Sequence, residues 1–140
     1  MKKYELTTDT KMVLGRKLFR IKALVSFGNV KIGDLGGYIE KEENLSQEGN
    51  AWVSGNAEVS GNAKVSGNAD YATAQGFGSV YRVTTFFREK TGEVGVKCGC
   101  FYGTLAEFRK KVKETHGDSK KAKEYLMLAD LMEYRFSDDE

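Results

Sequence analysis

Residues 49–71 read GNAWVS-GNAEVS-GNAKVS-GNADY, and the rest of the chain is best read outward from them. Gly-Asn-Ala recurs at positions 49, 55, 61 and 67, a strict period of six. The same frame sets Val53, Val59, Val65 and Tyr71 in one slot and Ala51, Ala57, Ala63 and Ala69 in another. Trp52, Glu58, Lys64 and Asp70 occupy the variable slot. A helix would smear a six-residue period around its axis, because six is not a multiple of 3.6. Short strands carrying Val, separated by Gly-Asn turns that tolerate positive φ, fit the period. Val59 and Val65 are therefore expected inward and buried. Glu58 and Lys64 are expected outward, with Glu58 freely replaceable.

The pattern Val-Ser-Gly-Asn-Ala-x resembles the hexapeptide repeat of left-handed parallel β-helices, in which three hexads make one triangular coil. Ile39 and Leu45 are also six apart, and a two-residue insertion would link them to Val53. The expected fold is mainly β: a short left-handed parallel β-helix of about two coils over 30–75, each end needing a cap. Residues 1–29 form an N-terminal hairpin cap, in which Lys11–Leu14 and Lys17–Ile21 flank a turn at Gly15-Arg16. Residues 76–140 form a ββαα unit. Ser79–Arg88 and Val94–Phe101 make its hairpin around Lys90-Thr91-Gly92. Thr104 and Glu107 form a capping box for a first helix ending at His116-Gly117. Asp118 caps a second helix whose stripe is Ala122, Tyr125, Leu126, Ala129 and Met132.

Composition narrows the function. The 140 residues carry 22 basic and 20 acidic groups, a net charge of +2, which excludes both an acidic nucleic-acid mimic and a basic packaging protein. Sixteen glycines against no prolines point to a regular backbone pattern rather than ordinary loops. The start, MKKYELTTDTK, does not read as a signal peptide, and no apolar run is long enough for a membrane span. Cys98 and Cys100 read as reduced thiols of a cytoplasmic protein. Glycine spacing over 28–37 does not fit a phosphate loop.

Catalytic readings are weak. Acyltransferases built on hexapeptide coils use a histidine in or beside the coils, whereas the one histidine here, His116, ends a C-terminal helix. Cys98, Cys100 and His116 give three zinc donors where a structural site wants four, and buried thiols explain them more simply. A Cys-His nucleophile lacks an orienting partner. No metal and no cofactor is expected. Binding readings are stronger. Arg82 and Arg88 on the hairpin, with Arg109, Lys110, Lys111 and Lys113 on the first helix, mark a basic groove for phosphates or acidic protein. The competing reading is a solvated face, with Glu107, Glu114, Asp118 and Glu124 pairing at i,i+4. Trp52, in the outward slot, is a contact anchor unless a flanking element covers it.

Lys3–Thr7, Gly33-Asp34-Leu35-Gly36-Gly37-Tyr38-Ile39-Glu40, Asn44-Leu45-Ser46 and the hexads together resemble a family of small phage and prophage hexapeptide-repeat proteins, often labelled polymer-forming. The resemblance extends through Thr84–Arg88 and Cys98–Phe101 to Glu114–Gly117. It implies a β-helical fold and a mobile-element origin, and by class association an anti-CRISPR or other anti-defence role. The expected function is non-enzymatic: a phage-derived inhibitor that binds a host defence protein or ribonucleoprotein, or its nucleic acid, in the bacterial cytoplasm. The alternative is a structural or oligomerising module. Flat coil faces would pack copies into a homo-oligomer, a trimer ahead of a dimer.

Overall fold

The structure, a computed structural model, describes residues 2–67, 70–77, 83–98 and 101–137. Strands β1 (Tyr4–Val13) and β2 (Arg16–Ala23) form the expected hairpin. Its turn is Leu14-Gly15, both at positive φ, one residue earlier than the composition suggested. Strand β3 (Leu35–Ile39) runs antiparallel to β2, and the two-residue β4 (Glu58–Val59) runs parallel to β3. This first sheet has the order β1-β2-β3-β4. The second sheet, β5 (Tyr71–Ala74), β6 (Thr84–Arg88), β7 (Val94–Cys98) and β8 (Phe101–Thr104), is antiparallel throughout and ordered as in the sequence. Helix α1 (Leu105–His116) follows β8 directly. Its capping box is complete: Thr104 Oγ1 accepts from Glu107 N–H, and the Glu107 carboxylate accepts from Thr104 N–H. Helix α2 (Lys120–Phe136) is capped by Ser119, whose hydroxyl accepts from Ala122 N–H, and not by Asp118.

The expected left-handed parallel β-helix is not present. Most strand pairing is antiparallel, and parallel contact is confined to Tyr38–Glu58, Ile39–Val59 and the isolated bridge Leu45–Val65. The reason lies in repeat number. Three hexads have one parallel neighbour, the segment 37–46, and on the other side the chain supplies antiparallel partners instead of a further coil. The chain then leaves the hexad path, and Tyr71–Ala74 pairs antiparallel with β6. The hexads form a single layer instead. On one side lie β3 and the 3-10 turn Glu42–Asn44; on the other, Ala63 bridges antiparallel to Glu89.

Within that layer the inward slots behave as expected. Val53, Val59 and Val65 are fully buried, with Ala51, Ala57 and Ala63 beside them, and Lys64 is exposed. They pack with Tyr4, Ile21, Ile39, Leu45 and Phe87 into one core. Gly36 and Gly37 make this possible: a Cβ on either would lie 2.6–2.7 Å from the carbonyl oxygens of Val53 or Ala57. A second core lies between the second sheet and the helices, and includes Phe86, Val96, Phe108, Val112, Tyr125 and Met132. Alternation along β6 sends Phe86 to the second core and Phe87 to the first, so this strand is the wall between them.

Glu58 is not the freely exposed residue the repeat suggested. Its carboxylate takes Lys11 on one oxygen and the buried Lys97 at 3.2 Å on the other, and its N–H donates to Thr85 Oγ1. It therefore ties the two sheets together.

Asn44 fixes the parallel offset of twenty residues. It is fully buried. Its Oδ1 accepts from the N–H groups of Glu40 and Lys41, and its Nδ2 donates to the carbonyls of Gly61 and Ala63 at 3.0–3.1 Å. Its own carbonyl accepts from Val65 N–H at 2.9 Å. Asn44→Ala removes four side-chain hydrogen bonds at once, that to the buried Ala63 carbonyl among them, and should cost about 3 kcal/mol, read as a lower urea midpoint. Glu58→Lys should also lower the midpoint, by setting three cations together, and added salt should recover part of the loss. A silent Glu58→Lys would return that residue to the role of a solvent-facing repeat position.

Candidate interaction surface

The sequence-derived binding residues do not form one groove. Trp52 is buried, with Phe27 and Tyr4 edge-on to its ring at centroid distances of 5.4 and 6.5 Å. It is a core residue, covered by a loop from twenty-five positions earlier. Arg82 lies outside the described residues. Arg88 turns inward: Nε donates to Asp70 at 3.1 Å, Nη2 to the Phe136 carbonyl at 3.3 Å, and the guanidinium lies over the Phe136 ring. Arg109 bridges the helices, with Nη2 at 2.9 Å from Asp130 and 2.6 Å from Glu133. The Glu133 hydrogen bond, followed by that of Asp130, raises its pKa against the effect of burial. Lys110, Lys111 and Lys113 are the members left in solvent.

The Cys98 thiol and the His116 imidazole both lie beside Tyr125. Cys98 Sγ accepts from Thr84 Oγ1 at 3.2 Å, and His116 stacks on the Tyr125 ring. Cys100 lies outside the described residues. Among the described residues no group of three or more His, Cys, Asp or Glu side chains could hold a metal ion. A shallow open cleft of about 370 Å³ is lined by Glu42, Glu43, Ser46, Gln47, Lys64 and Ser66. Hydrogen bonding from Lys2 keeps the Glu42 carboxyl below its usual range, so it stays ionised.

A polar strip crosses the joint between the sheets. Glu40 Oε1 accepts from Arg16 at 2.8 Å and from Gly61 N–H at 2.8 Å. Tyr102 Oη lies 3.1 Å from the Ser60 carbonyl and 3.3 Å from Glu89 Oε2. The phenolic proton is shared between these two acceptors. Burial raises the Glu89 carboxyl, with Glu93 and Glu107 adding to it against the Tyr102 hydrogen bond. Burial and Glu89 push Tyr102 up to about 12. Glu40 moves the other way: burial alone would raise it, but Gly61 N–H and Arg16 outweigh burial and lower it.

The remaining lysines lie on the outer face of the helical hairpin. The core stripe of α1 is Leu105, Phe108 and Val112, and that of α2 is Ala122, Tyr125, Ala129, Met132 and Phe136. Helical spacing turns Lys110 and Lys113 of α1, and Lys120 and Lys123 of α2, outward at the end where the helices join. Lys111 projects from the opposite flank of α1, beside Glu107 and Glu114. The expected pairing of these lysines with neighbouring acids does not occur. Glu107 is committed to the cap, and Asp130 and Glu133 to Arg109. None of the six lysines from Lys110 to Lys123 makes an ion pair among the described residues. Beside them runs a feature the sequence reading missed, an exposed apolar row of Met127, Leu131 and Tyr134. Its i, i+4, i+7 spacing, opposite the core stripe, is the signal that marks it.

No helix among the described residues is long and apolar enough to cross a membrane. No protein-family model, curated protein or solved structure matches the chain.

The two carboxylates of the polar strip should titrate with opposite signs. A raised carboxyl binds its proton more tightly when folded, so its contribution is full below the unfolded pKa and is lost as pH rises. Glu89→Gln should therefore stabilise relative to the native chain at pH 7 and not at pH 4. A lowered carboxyl contributes above the unfolded pKa and loses that contribution as pH falls, so Glu40→Gln should destabilise at pH 7 and converge on the native chain at acid pH. Urea midpoints across pH 3.5–8 provide the check.

Proposed function

We propose that the chain is a non-enzymatic binding protein of phage origin that inhibits a bacterial defence complex, docking the lysine-rich face of its helical hairpin onto an acidic protein surface. The carrying observation is the exposed set Lys110, Lys113, Lys120 and Lys123, which makes no ion pair among the described residues, while Glu107, Asp130 and Glu133 are engaged elsewhere. Such a face speeds encounter and selects an acidic partner. The phage family resemblance supports the biological setting. Glu114 and Glu124 stand among these lysines and would repel a phosphate backbone, which favours a protein surface. The trimer expectation drew on the flat faces of a β-helix, which this chain does not form.

The test is capture from a bacterial host lysate, with and without nuclease, using the native chain and a Lys110→Glu, Lys113→Glu, Lys120→Glu, Lys123→Glu variant. All four side chains are exposed, so the variant should keep the native circular dichroism and unfold at a similar temperature. The native chain should retain a nuclease-insensitive protein partner, and the variant should lose it by at least tenfold. Release by nuclease would move the reading to nucleic acid. Undiminished capture by the folded variant would remove the helical face from the function.

A further inference from the structure

We infer that the apolar row of α2 pairs with the same row of a second copy, the two helices running antiparallel across a two-fold axis. Met127, Leu131 and Tyr134 are 70%, 54% and 73% exposed, an unusual row of large apolar side chains on one outward helix face. They lie opposite the stripe that α2 buries in its own core, so the helix is apolar on two sides.

Charge along α2 selects the partner and its direction. Lys120, Lys121 and Lys123 occupy the first turn, whereas Asp130 and Glu133 lie in the second half. Parallel pairing of two copies would stack lysine on lysine and align two helix dipoles. Antiparallel pairing keeps the basic ends apart and opposes the dipoles. The lateral charges agree on a register. Helical spacing places Glu124 and Arg135 on the same flank of the row, and a two-fold antiparallel pair brings each flank against its own counterpart. Glu124 of each copy then faces Arg135 of the other when the axis passes between residues 129 and 130. The apolar row, residues 127–134, is centred within about one residue of that point. One register thus serves both the apolar contact and two symmetry-related ion pairs.

The interface is small, so the dimer is a dynamic one, formed at micromolar rather than nanomolar concentration. At 1.5 Å per residue the two copies of Lys120 stand roughly 30 Å apart along the helices, so the pair presents two basic faces to a partner.

Sedimentation of the full chain from about 1 to 500 μM tests the pairing. The native chain should pass from monomer to dimer with concentration and go no further. Leu131→Asp should weaken the association at least tenfold. Glu124→Arg should weaken it, and Glu124→Arg with Arg135→Glu should restore it, because the swap preserves opposite charge at both contacts. Lys110→Glu with Lys113→Glu should leave it unchanged, which separates this inference from the partner reading above. Circular dichroism confirms that each variant is folded. A native chain that stays monomeric throughout, a dimer indifferent to Leu131→Asp, or a charge swap that fails to restore association would overturn the inference.

Discussion

The fully buried side chain of Asn44 holds the hexads against the rest of the chain. It uses both lone pairs and both protons on backbone groups, two in the segment that leads from β3 and two in the hexad turns. An apolar residue in that place would remove all four bonds, and an acid could not donate to the Gly61 and Ala63 carbonyls. The parallel offset of Ile39 on Val59 and Leu45 on Val65 therefore follows from one amide. Everything beyond it in the layer is positioned in consequence: Glu58 meets Lys97, Ala63 meets Glu89, and Gly61 lies under Tyr102.

The residues on which the phage-family resemblance rests are largely these structural ties. Buried Lys3 donates to the carbonyl of Ala51 at 2.7 Å, at the cost of a lowered pKa from burial. Tyr4 donates to the Leu45 carbonyl, and burial followed by Glu42 and Glu43 raises its pKa. Gly36 and Gly37 allow the backbone approach that the hexads require. A motif built from such residues describes how this layer is bolted together. The helical hairpin, where we place the function, supplies few of those residues.

How much was legible follows from the range over which each feature is set. The inward slots of Val53, Val59 and Val65, the N-terminal hairpin and the Thr104–Glu107 cap depend on neighbours within a few residues, and the sequence carried them. The β-helix expectation failed because stacking needs a further coil, and repeat number alone does not reveal that the next partner is an antiparallel strand. Trp52 was misplaced because its cover, Phe27, comes from outside the repeat. Arg109 was read as a phosphate contact because its partners, Asp130 and Glu133, lie on the next helix. The lysines expected to pair with adjacent acids do not; of those acids Glu107 is claimed by the helix cap, while no ion pair forms with Glu114, Asp118 or Glu124 among the described residues. The exposed row of α2 was legible in the helical period, but attention to the buried stripe concealed it.

The division of labour between a rigid hexad layer and a working helical face is tested most directly by lysine footprinting before and after capture of a partner from host lysate. Acetylation rates at Lys110, Lys113, Lys120 and Lys123 should fall on capture, while Lys64 on the hexads and Lys17 on the hairpin stay unchanged. Protection of Lys64 or Lys17 with the helical lysines still reactive would place the working surface on the layer we assign to scaffolding.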